Sequence, residues 1–143
     1  MPRIHLTMAT ALAMACTGAT APTPLLIREH QAGWNTLRPA HYTYQYELTG
    51  FFNLLADQPM TLEVRSDTVR SAVFVATGDT VSGDPGFLPT IDTLFALALS
   101  LQTNAQLSAI TFDPTYDYPT RMDVPGPPDA AGTVFASTLH VLP

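Results

Sequence analysis

The chain has no lysine, and its six basic side chains (Arg3, Arg28, Arg38, Arg65, Arg70 and Arg121) are all arginine. Against twelve carboxylates they leave a formal charge of −6. Phosphate backbones and anionic membrane surfaces are therefore poor partners, and no nucleic acid is expected to bind. Cysteine is almost missing too. Cys16 stands alone, which excludes an intramolecular disulfide. The amino-terminal apolar run, residues 6–15, is too short to span a bilayer as a helix. The sequence holds no H-E-x-x-H, no G-x-S-x-G, no phosphate-binding glycine loop and no C-x-x-C. No cofactor or metal centre is implied by such patterns.

What is present begins with an address. Arg3 supplies a thin positive region, residues 6–15 follow without charge, and Ala13-Met14-Ala15 is an A-x-A cleavage pattern. Residues 1–15 therefore read as a cleaved signal peptide. Cys16 comes next, as in a lipobox, where the thiol becomes a lipid thioether. Ala13 takes the place of the usual Leu, with Leu12 one position further back. The other outcome is ordinary signal cleavage, leaving a soluble protein with a free thiol. Both export the chain, either to a lipid anchor on the cell envelope or to the periplasm or medium. A lipidated residue with more than one acyl chain holds a membrane firmly, whereas one chain binds marginally. Residues 16–24, small, polar and proline-containing, read as a tether.

Residues 25–143 are long enough for one domain with its own core. A first helix is expected over residues 25–37, with Ile27, His30, Trp34 and Leu37 on one stripe. Gly33 costs such a helix about 1 kcal/mol against Ala unless something packs closely there. The next run alternates, placing Tyr42, Tyr44, Tyr46 and Leu48 on one face of a strand. That row reads as a sheet face beneath helices, with an aromatic ligand platform as the second possibility. Residues 60–65 and 69–76 form a hairpin turning near Ser66-Asp67, with Val69, Val73 and Val75 marking the inner face of its second strand. Thr90 and Asp92 open a second helix whose stripe is Ile91, Leu94, Phe95, Ala98 and Leu101. Strands at 107–112, 121–124 and 133–141 complete the chain, the last facing Phe135, Leu139 and Val141 away from Val134 and Ala136. The expected class is α+β, an antiparallel sheet of about six strands with two helices on one face, in the order α-β-β-β-α-β-β-β.

Two stretches put unusual residues in turns. The connection at residues 50–59 carries Phe51, Phe52, Leu54 and Leu55, where a surface loop is normally polar. It either folds back over the core or exposes an apolar contact site. The other stretch, Phe112-Asp113-Pro114-Thr115-Tyr116-Asp117-Tyr118-Pro119-Thr120, reads as a hairpin tip. Asp-Pro starts turns, and a residue before proline, here Tyr118, is biased to extended geometry. Asp113, Asp117 and Asp123 could gather oxygens for Ca²⁺, but their spacing fits no EF-hand loop. Asp113 is expected to cap its own turn and Asp123 to face solvent. His30 reads as a core histidine, and His41 and His140 can meet only if their strands are neighbours.

Trp34, Tyr42-Thr43-Tyr44-Gln45-Tyr46, Thr90-Ile91-Asp92-Thr93-Leu94-Phe95 and the Asp-Tyr-Pro tip together resemble a family of small bacterial exported proteins, often predicted lipoproteins, classed only as a domain of unknown function. Members commonly carry Gly where Asp117 stands and a C-x-C-like pair where this chain has Phe51-Phe52-Asn53. The resemblance implies an envelope address and a shared fold, and no activity. Two functions are weighed. One is a non-enzymatic envelope module, tethered at Cys16, that binds a protein or ligand through Phe51, Phe52, Leu54, Leu55, Asp113, Tyr116, Asp117 and Tyr118, or serves as a purely structural spacer. The other is a metal-dependent or carboxylate-using hydrolase built on Asp113, Asp117 and a nearby His.

Overall fold

The computed structural model describes residues 22–50, 55, 57–127 and 130–143. The expected signal at 1–15, Cys16, most of the tether, and Phe51, Phe52 and Leu54 lie outside the described residues. The alternating tyrosines form strand β1, His41–Thr49, and alternation sends Tyr42, Tyr44 and Tyr46 to the buried face. Strands β2 (Met60–Arg65), β3 (Thr68–Phe74), β4 (Ala109–Phe112), β5 (Pro119–Val124) and β6 (Gly132–Val141) complete one antiparallel sheet in the order β3-β2-β1-β6-β5-β4. The first and last strands lie side by side at its centre, and a three-stranded meander extends outward from each. The class is α+β, as the sequence implies.

Helix α1, Pro24–Leu37, starts where Thr23 Oγ1 accepts from the Leu26 N–H at 3.1 Å and Pro24 takes the first helical turn. Helix α2, Ile91–Thr103, links the two sheet edges, with Thr90 Oγ1 capping the Thr93 N–H at 3.3 Å. Ile27 and Trp34 from α1, and Ile91, Leu94, Phe95 and Ala98 from α2, close over the tyrosine face, Met60, Leu62, Val64, Met122 and Val134.

Two strands depart from simple alternation. The β2–β3 turn places Ser66 and Asp67 at φ 50° and 57°, the pair of positive values a tight hairpin turn requires. A bulge between Glu63 and Val64 then shifts the register, so Val69 and Ala72 are buried. Val73 and Val75, expected inside, are not; Val75 is 49% exposed. In β6 the register slips opposite Thr43 and Gln45, with Thr138 at φ 54°. Leu139 consequently packs against the core on the side of Val134 and Ala136, correcting the expected division of faces.

Burying the tyrosines demands partners for their hydroxyls. Tyr44 donates to the Pro89 carbonyl, and Tyr42 accepts from the Ile91 N–H at 3.4 Å, so both phenols fasten the approach to α2. Burial pushes the Tyr46 phenol up to about 12 and raises Tyr42 and Tyr44 further. A phenol whose folded-state pKa is raised gives stability that is complete below the unfolded value of 10.0 and is lost as pH rises through the folded value. Alkaline titration should therefore show the buried phenolates appearing together with the loss of circular dichroism. Gradual ionisation within an intact fold would mean that the tyrosine row is open to water.

Candidate functional site

The tip between β4 and β5 is tied by its own backbone. Asp113 Oδ1 accepts from the N–H groups of Thr115 and Tyr116 at 2.9 and 2.8 Å, the turn cap expected of it. The Asp113 N–H donates to the Tyr118 carbonyl at 2.8 Å, and the Asp117 N–H to the Asp113 carbonyl at 3.0 Å. Asp117 consequently sits at φ 63°, where glycine rests freely and Asp is among the few other residues tolerated. Tyr118 is buried, its ring edge-on to Trp34 with centroids 6.2 Å apart. Burial is also the main reason its phenol is raised. Tyr116 is half-buried against the core, as is Leu55 from the apolar connection.

The tip reaches helix α1 through Asp117. Its Oδ1 lies 3.0 Å from His30 Nδ1, both side chains being about one third exposed. The His30 ring stacks on Phe112, centroids 3.8 Å apart and planes 11° from parallel, and Phe112 in turn stacks near Phe95. Gly33 makes room for this. A Cβ there would fall 2.8 Å from Asp117 Cγ and closer still to Oδ2. His30 is thus a satisfied histidine at the margin of the core, held between a carboxylate and an aromatic ring. Nδ1 donates to the Asp117 carboxylate, and Nε2 has no hydrogen bond among the described residues.

A second polar cluster lies on the other sheet face. Glu63 bridges His41 Nε2 at 2.9 Å and the Ser71 hydroxyl at 3.1 Å, and His41 Nδ1 lies 3.0 Å from the Pro143 carbonyl oxygen. The hydrogen bonds from His41 and Ser71 hold the Glu63 carboxyl below its ordinary value. Glu63 thereby ties β1 to β3 through His41 and Ser71. β1 and β6 are neighbours and Thr43 pairs with His140, yet His41 turns to Glu63. Asp123 lies on the same outer face of the sheet. Burial pushes its carboxyl up, but bonds from Arg121 at 2.8 Å and Thr133 at 2.9 Å outweigh this and lower it. On the side opposite the buried Met122, it joins β5 to β6.

The structure thus brings Asp113, Tyr116, Asp117 and Tyr118 together at one tip and adds His30, which sequence reasoning had left in the core. Asp123 stands apart, and no group of three or more His, Cys, Asp or Glu among the described residues is placed to hold a metal ion. The signal that could have found His30 was Gly33, a helix-weakening residue one turn along the same stripe.

That pairing fixes the sign of a substitution. Ala normally stabilises a helix over Gly by about 1 kcal/mol. Gly33→Ala should instead destabilise by about 1 kcal/mol, because overpacking against Asp117 outweighs the propensity gain. In an Asp117→Gly background the same change should stabilise. Urea denaturation of the four proteins tests this; stabilisation in both backgrounds would refute the close contact.

No curated protein and no solved structure matches the chain. A family described as being of unknown function, DUF6174, matches residues 26–140, from the first turn of α1 nearly to the end of β6. The chain belongs to that family.

Proposed function

We propose that this protein is an exported, lipid-anchored component of the bacterial cell envelope, acting as a non-enzymatic binding or structural module. Export rests on the charge-free run at 6–15 and the A-x-A pattern, and anchoring on Cys16 directly after it. The observation that carries the non-enzymatic reading is how the tip uses its carboxylates. Asp113 caps two backbone N–H groups, and Asp117 holds helix α1 through His30. In this reading Asp113 is committed to its turn and Asp117 to the contact with α1. The contact surface in this reading is the apolar connection with Phe51, Phe52, Leu54 and Leu55, and the partner is an envelope protein.

Two experiments test this. Cys16→Ser should abolish incorporation of a labelled fatty acid and release the protein from the membrane fraction; retention of both would refute the anchor. In-cell crosslinking should recover a discrete partner that vanishes when Phe51, Phe52, Leu54 and Leu55 are all replaced by Ser in a chain with native circular dichroism. Recovery of the same proteins by both chains would refute the contact loop.

One observation favours a second reading, a hydrolase. A carboxylate 3.0 Å from Nδ1 orients His30 so that Nε2 can take a proton from an attacking water. In that case Asp117→Asn should lower turnover of a hydrolysed ester by roughly 10²-fold or more while leaving the melting temperature nearly unchanged. An unchanged rate would exclude the dyad.

A further inference from the structure

Helix α1 is held to the rest of the fold by charges at two places. Near its carboxy-terminal end, Arg38 pairs with Asp92 at 2.9 Å and with Asp67 at 3.3 Å, tying the helix to the start of α2 and to the β2–β3 turn. A guanidinium keeps its proton throughout the range in which proteins fold. About two turns earlier, the second place is His30, 3.0 Å from Asp117 in the tip. An ordinary imidazole changes its charge near pH ~6.5. From neutral pH into mild acid, one grip on α1 is therefore constant and the other titrates.

Both contacts of the His30 ring strengthen when it is charged. Nδ1 already donates to the Asp117 carboxylate, so a proton added at Nε2 turns a hydrogen bond from a neutral ring into an ion pair with the geometry unchanged. The side chain is 30% exposed, which lets water solvate the new N–H. The ring also lies flat on Phe112, centroids 3.8 Å apart, where an imidazolium meets the negative face of the aromatic ring. The other charges nearby are engaged or turned away. On α1 itself, Arg28 and Glu29 are exposed and sit two and one positions before His30, off the face it occupies. Phe112 from β4 and Phe95 from α2 carry no charge, and Asp92 at the start of α2 is paired with Arg38. In the tip, Asp113 uses its carboxylate on the Thr115 and Tyr116 N–H groups, and the phenols of Tyr116 and Tyr118 are uncharged near neutrality. On β5, Arg121 is paired with Asp123.

We propose that His30 and Asp117 form a pH-sensitive clasp, which closes α1 onto the β4–β5 tip more tightly in mild acid than above neutrality. The extra attraction exists only where both partners are charged. It is complete between the ordinary values of about 3.9 for Asp and about 6.5 for His, and is lost as pH rises through the titration of the imidazole. Both side chains are about one third exposed, so solvent screening limits the gain to roughly two- to fivefold in the closing equilibrium. Trp34 and Tyr118, one turn along α1 and one residue along the tip, are buried against each other beside the clasp. Opening it therefore loosens the aromatic contact that joins the two elements. Neither the anchor at Cys16 nor the apolar connection takes part.

A double-mutant cycle isolates the pair: the native chain, His30→Gln, Asp117→Asn and the double variant, each unfolded in urea at about pH 8 and about pH 5.5. His5, His41, His140 and Glu63 are the same in all four proteins, so their titration cancels. Asn tolerates the φ of 63° at position 117, and Gln keeps an N–H for the carboxylate. The coupling, read as a ratio of unfolding equilibrium constants, should be roughly two- to fivefold larger at the lower pH. High salt should shrink that increase. Equal coupling at the two pH values, or a larger one at the higher pH, would overturn the clasp. The native chain alone gives a second readout. Corrected for intrinsic exchange, protection of the Asp117 amide should rise over the same acidification, and a flat or falling value would contradict the proposal. Crosslinking and ester turnover report on neither quantity, so the readings fail separately.

Discussion

Burial of Trp34 is the constraint on which the rest of the structure depends. The indole is fully buried and meets Tyr42 edge-on at 5.6 Å and Tyr118 at 6.2 Å. Its Nε1 donates to Asp92 Oδ2 at 3.4 Å, and Asp92 Oδ1 also pairs with Arg38 at 2.9 Å. One side chain thus joins α1 to β1, to the first turn of α2 and to the tip. A buried indole of this kind is typically worth about 3–5 kcal/mol on truncation to Ala, a large share of the stability of a small domain. Asp92 also complements the amino-terminal end of α2, so the same carboxylate serves the helix dipole and the indole.

Around that anchor, polar groups inside the core set orientation. Tyr42 and Tyr44 bury their rings under the helices and use their hydroxyls on the backbone at Ile91 and Pro89. Sliding α2 along the sheet would leave those groups unpaired, at a cost of about 1–3 kcal/mol each. At the other margin, the pairing of Asp117 with His30 and the missing side chain of Gly33 belong together. A larger residue at 33 displaces the carboxylate, and a glycine at 117 removes it while relaxing the left-handed backbone.

Local pattern made much of this legible. β1 follows from strict alternation of tyrosines, and α2 from Thr90, Asp92 and the Ile91, Leu94, Phe95, Ala98 stripe. Pattern failed where one residue was inserted into a ladder. The bulge at Glu63 and Val64 exchanges Val73 for Ala72 on the inner face, and the irregularity at Thr138 brings Leu139 inward. Neither insertion has a glycine to mark it. The candidate site was half legible. Asp113 announced its turn through the Asp-Pro pair, but His30 and Asp117 are 87 positions apart and meet only because α1 lies over the β4–β5 end of the sheet. The Glu63, His41 and Ser71 network stayed hidden because each residue alone reads as ordinary strand solvation.

A tip clasped in this way is part of the folded body, and its acidic and aromatic residues serve first to hold α1 against the sheet. Native-state amide hydrogen exchange tests that most directly, read at Asp113 and Asp117 in the native chain and in His30→Gln. Protection at both amides approaching that of Tyr44, with a clear loss at Asp117 in the variant, is the expected result. Fast exchange at both sites, unchanged by the substitution, would show a free loop and contradict the account.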